Sequence, residues 1–305
     1  MAEDQNTKKQ VGLTVLSYGG GQDSTAILLM LSGKLGFRDR YVGGDDLLTI
    51  MSSTGNEHRE TDEYVRDLVP GMCTAAKSDW QLITPDMGFH ATNWDSLQGY
   101  FTHYRAIASK AYPKSCTDKL KLVPIYRFLE QHIGKKYGFK VGRKRAFYEY
   151  RERFGKMRVM IGITAEEATR RIGDRSGEPK WSQECIDKVY PLVDLGLTRA
   201  NCQEVIRSFG RPVPLPSNCM MCPFVSPVEL LWLWTFRREE YEKWVVFEAD
   251  KLERCKDLGD KNYGVNGLKT LPQVLEEAKV KYAGWTTEQL WEYKMSHGHG
   301  VCSKH

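Results

Sequence analysis

No stretch of this 305-residue sequence approaches the roughly 18 to 20 consecutive apolar residues that a membrane-spanning helix requires. The first ten residues, MAEDQNTKKQ, are polar and lack the apolar segment of a secretory signal. Internal repeats are also missing, which excludes a repeat architecture. Hydrophobic residues make up 41% of the chain, enough for a packed core. We therefore expect a cytoplasmic globular protein, with no membrane partner and a polar tail at residues 1–10.

Disulfide bonds are not expected, because the cytosol keeps thiols reduced. The spacing of the eight cysteines therefore bears on metal binding or thiol reactivity. Cys219 and Cys222 form a CxxC pair in a proline-rich stretch. By itself this pair is compatible with a redox dithiol, half of a zinc site or part of an iron–sulfur cluster. The other cysteines are Cys73, Cys116, Cys185, Cys202, Cys255 and Cys302.

A strong overall charge is also lacking, since the net charge is only +5, but the charge is unevenly spread. Residues 134–158 contain ten Lys or Arg and two Glu, so this basic segment alone carries +8. Six Tyr or Phe side chains are interleaved with these charges. One interpretation is a surface for a polyanionic partner such as a nucleic acid. The other is a solvated helix whose aromatic face is buried.

Short apolar runs alternate with helical patterns over the first two thirds of the chain. The runs predict strands at 11–16, 47–51, 81–84 and 158–163, with helices at 24–35 and 60–68. This alternation predicts an α/β fold with an open, mainly parallel sheet and helices on both faces. Ligands of such sheets bind outside the carboxyl ends of the strands, where the polar exits of these runs lie.

A change of character after residue 190 indicates a second, smaller and mostly helical part. Residues 210–227 hold five of the twelve prolines and predict an irregular connection. Residues 228–258 then predict one long helix, whose Trp232, Trp234 and Trp244 we interpret as core rather than as base-stacking platforms. We place the nucleotide-binding domain at 11–200 and a region with the cysteine loop and C-terminal helices at 201–305.

The sequence SYGGGQDST at 17–25 follows the first predicted strand and opens a helix. Glycine amides at a helix N-terminus can surround phosphate oxygens, and the helix dipole favours negative charge there. The loop has no lysine, so it is not a G-x-x-x-x-G-K-[ST] loop, and it is not G-x-G-x-x-G either. Asp23 would repel phosphates unless Mg²⁺ lies between them.

The stretch LSYGGGQDST resembles the PP-loop, SGGxDS, of the ATP pyrophosphatases with the adenine nucleotide alpha-hydrolase fold. Its closest likeness within them is the PAPS reductase-like branch, including DNA phosphorothioation-type members. The resemblance covers most of residues 11–250 and departs at two positions, where Gly19 and Ser53 replace the usual serine and acidic residue. Four further stretches carry it: STGNE at 53–57, CTDKLKLVPIYRFL at 116–129, IGITAEEATR at 161–170 and PLPSNCMMCPF at 214–224.

The resemblance implies that ATP is cleaved between its α- and β-phosphates and that AMP activates an acceptor oxygen. It implies catalytic roles for Asp23 with Mg²⁺, for Ser24, and for Glu166 and Arg170 after the 158–163 strand. Phosphate contacts are expected from Gly19, Gly20 and Gly21, and hydroxyl contacts from Ser24 and Thr25. The adenosine is expected at the exit of the second strand. The complete set of expected ATP contacts is Ser17, Gly19, Gly20, Gly21, Gln22, Asp23, Ser24, Thr25, Thr54, Gly55, Asn56, Glu57 and Gly162.

Cys116 and Cys202 resemble positions where related proteins carry cysteine, and with Cys219 and Cys222 they would complete a four-thiolate site. Such a set suits zinc or a [4Fe–4S] cluster, and the resemblance favours the cluster. Cys185 is the substitute for Cys202, and Cys73 and Cys255 are expected to be buried thiols.

Three functions remain open at this point. The first is an ATP-dependent sulfur-insertion enzyme acting on a nucleic acid, DNA rather than RNA, with a cysteine desulfurase as an expected partner. The second is a PAPS or adenylyl-sulfate reductase with Cys302 as nucleophile, although GHGVCSKH lacks the acidic residue of that family's tail motif. The third is a non-enzymatic nucleotide- and cluster-binding protein. The sequence gives no oligomeric state.

Overall fold

A five-stranded sheet organises the first two thirds of the chain. In the computed structural model the described residues are 11–91, 96–112, 116–171 and 175–297, with backbone only at 170, 171 and 176. The strand order is β3-β2-β1-β4-β5 and every neighbouring pair is parallel, which confirms the predicted fold class. The short, half-exposed β5 has no counterpart among the predicted strands. The strands are β1 Leu13–Ser17, β2 Asp46–Ser52, β3 Asp79–Ile83, β4 Met157–Ile161 and β5 Ile186–Val189.

Fifteen α-helices occur in the described part of the chain, several of them only one or two turns long. A π-helical turn at Asp118–Leu122 leads directly into the sixth. Their bounds are α1 Gln22–Gly33, α2 Phe37–Tyr41, α3 Arg59–Asp67, α4 Val69–Ala75, α5 Leu97–His103, α6 Val123–Tyr137, α7 Arg145–Phe154, α8 Ala168–Arg171, α9 Lys180–Cys185, α10 Pro191–Asp194, α11 Arg199–Ser208, α12 Pro227–Phe236, α13 Arg238–Arg254, α14 Leu271–Lys281 and α15 Thr287–Ser296.

The strand order places a topological switch point between β1 and β4. From β1 the chain proceeds outward through β2 and β3, and it then returns to the other side of β1 to form β4 and β5. The loops that leave β1 and β4 therefore diverge to opposite faces of the sheet and leave a crevice between them. The glycine-rich loop 19–21 and the segment 162–167 border this crevice.

Helices cover both faces of the sheet, as predicted. On one face α1 is buried nearly all round, which fits its sequence STAILLMLSG, and α4 and α11 pack against it. On the other face α6 and α7 pack on the alternate side chains of β1 and β2. Because α11 contributes Cys202 and Ile206 to the core around α1, the change of character comes after this helix, in the irregular stretch 210–226.

The helical C-terminal part has a core of its own, formed by α12, α13, α14 and α15. The single long helix predicted for 228–258 is in fact two helices, because Arg237 adopts φ −140° and ψ 57° and interrupts the helical backbone. Trp232 and Trp244 are each 1% exposed and belong to the core, as expected, whereas Trp234 is only partly buried and packs against it. Within the described residues, none of the helices has the length and apolar character needed to cross a membrane.

The basic segment 134–158 contacts the end of the sheet where the strands begin, and the glycine-rich loop lies at the other end. The Tyr137 hydroxyl donates to the Val11 carbonyl (3.0 Å), and Lys136 Nζ lies 2.6 Å from Asp46 Oδ2, so both contact the amino ends of strands. The rings of Tyr137, Phe147 and Tyr150 are buried. Three of the six rings are thus buried, as the second interpretation expects, and Phe139, Tyr148 and Phe154 are half-buried.

Glu178 links β5 to the turn before α9. Its carboxylate lies 2.5 Å from Lys188 Nζ, 3.0 Å from Arg175 Nη2 and 3.0 Å from Ser182 Oγ. Burial alone would raise the pKa of Glu178, but the hydrogen bonds from Arg175 and Lys188 outweigh it and lower the pKa to about 2. The stabilisation is therefore present above the carboxyl's unfolded-state pKa and disappears as the pH falls toward about 2.

We expect Glu178→Gln to lower the free energy of unfolding by about 1–2 kcal/mol at neutral pH, since it removes a charged hydrogen-bond acceptor. The difference from the unsubstituted protein should shrink as the pH is lowered from roughly 4.5 to roughly 2. Urea unfolding across this pH range measures it. Glu184→Gln on α9, whose ion pairs are looser at 3.7 and 4.0 Å, is the control and should cost less than about 0.5 kcal/mol. Equal losses for the two variants would contradict the assignment.

Candidate functional site

The glycine-rich loop forms one wall of the crevice between β1 and β4. Gly20 has φ +75°, and a Cβ there would lie 2.9 Å from Thr61 Cγ2, so this position requires glycine. Gly21 is the N-cap of α1, and no described side chain caps this helix. The first amides of a twelve-residue helix are thus directed at the crevice, which favours an anion there.

Ser24 and Thr25 differ in what their hydroxyl groups contact. Ser24 lines the cavity, and its Oγ accepts from the Gly19 amide at 3.2 Å. Thr25 is buried, donates to the Gly21 carbonyl at 2.8 Å and bonds to the Tyr18 hydroxyl. The structure thus brings Ser24 to the cavity, whereas Thr25 fixes the loop from behind.

Asp23, Glu167 and Arg199 form a charged cluster at the cavity. Arg199 Nη2 lies 3.4 Å from Asp23 Oδ2 and 3.8 Å from Glu167 Oε2, and all three side chains are largely buried. Arg199 begins α11 and had no motif to identify it. One guanidinium between two carboxylates leaves a net negative charge, which suits a divalent cation shared with phosphate oxygens.

Glu166 and Arg170 were predicted to act beside Asp23. Glu166 is exposed, and its carboxylate accepts from the Arg199 backbone amide at 3.2 Å, so it satisfies the first amide of α11 beside the N-cap residue Thr198. The structure therefore brings Glu167, rather than Glu166, to the cavity. Arg170 lies on α8, and its side chain is outside the described part of the structure.

The turn after β2 carries four of the predicted ATP contacts, and only one of them, Thr54, lines the cavity. Glu57 accepts from the Thr54 amide (3.0 Å) and hydroxyl (2.8 Å), which closes the turn on itself. Asn56 accepts from the Gln98 amide at 3.0 Å, so it joins loops instead of facing the cavity. Gly55 supplies the left-handed turn residue, with φ +68°.

The remaining predicted ATP contacts likewise include residues that line the cavity and residues with structural roles. Ser17, Gly19, Gly21 and Gly162 line the cavity. A Cβ on Gly162 would lie 2.9 Å from the Ser24 amide nitrogen, so the exit of β4 packs on the start of α1. Gln22 also borders the cavity, but its amide nitrogen donates to the Pro214 and Met295 carbonyls, both at 3.0 Å, and so has a structural role.

Three cysteines line the same cavity as the glycine-rich loop. Cys116 comes from the segment before the π-helical turn, and Cys219 and Cys222 come from the irregular stretch. The Thr54 hydroxyl lies 3.4 Å from Cys219 Sγ, and the Met220 amide donates to the Asn56 carbonyl at 2.7 Å. These contacts fix the CxxC loop to the exit of β2. The cavity volume is about 350 Å³, within the range of small-molecule sites.

Cys202, the predicted fourth ligand, does not join this group. It is fully buried in the core around α1 and does not line the cavity. Burial, and then the negative charge of Asp23, raise the pKa of Cys202 to about 12, which disfavours the thiolate that a metal requires. Cys185, the substitute, is buried in the core on the opposite face of the sheet.

The predicted four-thiolate site is therefore not assembled. Among the residues that the structure describes, no group of three or more His, Cys, Asp or Glu side chains is arranged to hold a metal ion. The described donor set does not fit a four-thiolate [4Fe–4S] cluster or a four-thiolate zinc site. The arrangement is instead three thiols beside a phosphate-type loop.

Ser217, Asn218 and Lys121 also line the cavity, and sequence reasoning missed the first two. A Cβ built on Gly19 would lie 3.5 Å from Ser217 Oγ. The Ser217 hydroxyl is thus close to where the usual serine of the loop would project. No pattern in the sequence signals this, because the two residues are far apart along the chain.

A buried ion pair connects the C-terminal helix to this wall of the cavity. Lys294 on α15 is only 1% exposed, and its Nζ lies 3.0 Å from Asn218 Oδ1 and 3.3 Å from Glu229 Oε1. Burial lowers the pKa of Lys294, while the Glu229 carboxylate opposes this shift. Removing either Lys294 or Glu229 would leave an uncompensated buried charge. Because Lys294 also donates to Asn218, the pair positions Asn218 at the cavity wall.

No protein-family model and no curated protein matches the chain. Among solved structures, one that matches is the U34-tRNA thiolase NcsA from Methanococcus maripaludis with its [4Fe-4S] cluster. The identity is 13% and the TM-score 0.35, over 97% of this chain and 82% of that chain. A likeness at this level carries nothing about activity or ligands. The class that the geometry defines is an α/β protein with a phosphate-type loop at the switch point of its sheet.

We expect the thiols to separate into two classes in native alkylation with iodoacetamide at neutral pH. Cys202 should react orders of magnitude more slowly than Cys116, because its thiol is buried and its raised pKa disfavours the thiolate. Peptide mass spectrometry over time measures both rates in one sample. Cys73, also buried with a raised pKa, is the internal control. Equal rates for Cys202 and Cys116 would contradict this placement.

Proposed function

We propose that the protein binds ATP in this cavity, cleaves it between the α- and β-phosphates, and transfers AMP to an acceptor for sulfur insertion. The observation that carries the proposal is that one cavity is lined by both the glycine-rich loop and three cysteines. Phosphate binding and thiol chemistry are thereby brought together at the switch point of the sheet, where ligands of this fold class bind.

The phosphates would lie against the loop. The amides at the start of α1 supply donors aligned with the helix dipole, and Ser24 adds a hydroxyl group. Arg199 and Lys121 supply positive charge for the departing pyrophosphate. Asp23 and Glu167 are carboxylates of the kind that hold Mg²⁺ together with substrate phosphates, and the ion would supply charge neutralisation there.

Cleavage at the α–β bond is supported by the resemblance of 16–25 to SGGxDS and by the absence of the lysine that γ-phosphate loops carry. An acceptor oxygen attacks the α-phosphorus, the α–β bond breaks and pyrophosphate leaves. The acceptor oxygen then carries AMP, which makes it a good leaving group.

The cavity thiols would supply the second half of the reaction. A persulfide on one cavity cysteine, formed by a donor of the desulfurase class, displaces AMP, which departs with the oxygen. A second cavity thiol then cleaves the resulting disulfide, which releases the thiolated acceptor. The cysteine disulfide left behind is reduced by an external thiol. At least two neighbouring thiols are needed for this sequence, and three line the cavity.

We propose a nucleic acid as the acceptor, with DNA before RNA. The basic segment 134–158 does not support this, since it contacts the amino ends of the strands and the cavity lies at their carboxyl ends. The support comes from the cavity side of the molecule, where the exposed rings of Tyr104 and Tyr112 line a pocket that reaches Cys116.

The test is the product pattern from ATP labelled in the α-phosphate, with single-stranded DNA, RNA or neither. We expect AMP and pyrophosphate, and Arg199→Ala should weaken ATP binding about ten- to hundredfold, because a charged hydrogen-bond donor is lost and two carboxylates are left facing the phosphates. Arg207→Ala, on the exposed end of the same helix, is the matched control. Release of ADP, or equal affinities for the two variants, would overturn the proposal.

A swap between positions 19 and 217 tests whether Ser217 supplies the hydroxyl that Gly19 lacks. Ser217→Ala should weaken ATP binding about fivefold, the cost of one hydrogen bond of roughly 1 kcal/mol. Gly19→Ser in the same chain should restore it, because position 19 has no positive φ and a Cβ there meets only an ordinary contact at 3.5 Å. Calorimetric titration with ATP and Mg²⁺ measures both. A double variant no better than Ser217→Ala would show that the two hydroxyl positions are not equivalent.

A further inference from the structure

A second pocket of about 180 Å³ lies beside the cavity, and five of its eleven lining residues are aromatic. We call it the aromatic pocket. Its rings belong to Tyr100, Phe101, Tyr104, Tyr112 and Phe224. It shares three lining residues with the cavity, namely Ala108, Cys116 and Pro223. A group held in the aromatic pocket would therefore lie next to one of the three cavity thiols.

The two outer rings of this pocket are held in place and yet well exposed. Tyr104 is 57% exposed, and its ring centroid lies 5.2 Å from that of the buried Tyr100. Tyr112 is 45% exposed, donates to the Lys261 carbonyl at 3.2 Å and packs edge-on against Tyr263. Fixed and accessible tyrosine rings can stack on a flat aromatic ligand with little loss of side-chain entropy.

Exposed cations lie on the segments that carry or contact the two outer tyrosines, together with the exposed carboxylates of Asp257 and Asp260. Arg105 follows Tyr104 directly, is exposed, and donates to the carbonyl of the equally exposed Arg254 at 2.8 Å. Lys261, whose carbonyl holds Tyr112, is exposed as well. None of these three cations makes an ion pair with a carboxylate within the described ranges. Side chains that stack on bases, bordered by cations for phosphates, are typical of single-stranded nucleic-acid sites.

We propose that the aromatic pocket receives one unpaired nucleobase of a nucleic-acid acceptor, stacked on Tyr104 and Tyr112 at the Cys116 edge of the cavity. This inference rests on the proposed function for the chemistry at the adjoining cavity. It adds a location: the base is bound on the cavity side, through residues 100–112 and 224, and not by the basic segment 134–158. A base must leave its stack to enter such a pocket, so unpaired strands should bind better than duplexes.

The experiment measures fluorescence anisotropy of labelled single-stranded DNA and RNA of mixed sequence, and of an abasic chain of the same length. Tyr104→Ala and Tyr112→Ala should each weaken binding of the base-containing strands about five- to hundredfold, as loss of one stacked ring does. Tyr104→Phe should retain affinity, because it keeps the ring. Tyr148→Ala, in the basic segment, is the matched control and should leave binding unchanged.

The abasic chain separates stacking from charge. Unsubstituted protein and Tyr104→Ala should bind it with equal, weak affinity, because neither has a base to stack. An equal loss of affinity for abasic and base-containing strands in Tyr104→Ala would overturn the inference. So would equal binding of both strands by the unsubstituted protein, which is the result expected if the pocket binds a peptide.

The same variants are titrated with ATP. Unchanged ATP affinity in Tyr104→Ala is expected, and a parallel loss would assign the pocket to the adenine ring and overturn the inference. The two proposals can be rejected independently. A protein that releases no AMP but shows base-dependent binding, lost in the tyrosine variants, would reject the proposed function and support this inference.

Discussion

The close approach of Gly21 to Ser217 is the contact on which the site depends. A Cβ on Gly21 would lie 2.9 Å from the Ser217 backbone nitrogen, so only glycine lets the irregular stretch press against the loop. Gln22 extends this contact by donating to the carbonyls of Pro214 and Met295. Three segments distant in sequence thus form one wall: the loop after β1, the proline-rich stretch and the end of α15.

This wall explains how thiols come to face a phosphate-type loop. The proline-rich stretch is rigid, and its CxxC pair is placed by backbone bonding of Met220 to Asn56 and by the contact of Thr54 with Cys219. The buried pair of Lys294 and Glu229 supports the same stretch through Asn218. Because these contacts cross between the sheet and the C-terminal helices, the two parts of the chain build the cavity together. The adjoining aromatic pocket also uses both parts, since Phe224 lines it together with Tyr100 and Tyr104.

Local sequence patterns predicted the sheet and the loop because both are determined by short-range chemistry. Alternating apolar runs and helices give parallel strands, and GGG at a strand-to-helix turn places free backbone amides at the crevice of such a sheet. The same reasoning missed β5, a four-residue strand in which only Ile186 is buried, so that it shows no clear period. It also merged α12 with α13, because the change of backbone angles at Arg237 does not affect the hydrophobic spacing. Glu166 and Glu167 are adjacent helix-start carboxylates, and only their contacts with Arg199 distinguish the cap from the cavity residue.

The sequence by itself determined the fold class and the place of the glycine-rich loop, and of the four cysteines that it predicted as ligands, three line the cavity. Only the tertiary structure decided which side chains face the cavity. Cys202 was predicted as a ligand from the family resemblance, yet α11 places it in the core behind α1, where burial disfavours the thiolate. Arg199, Ser217 and the tyrosines of the aromatic pocket have no motif, since their positions follow from packing between distant segments. A motif predicts the local conformation and chemistry of one segment, whereas contacts between distant segments across a cavity depend on how the whole core packs.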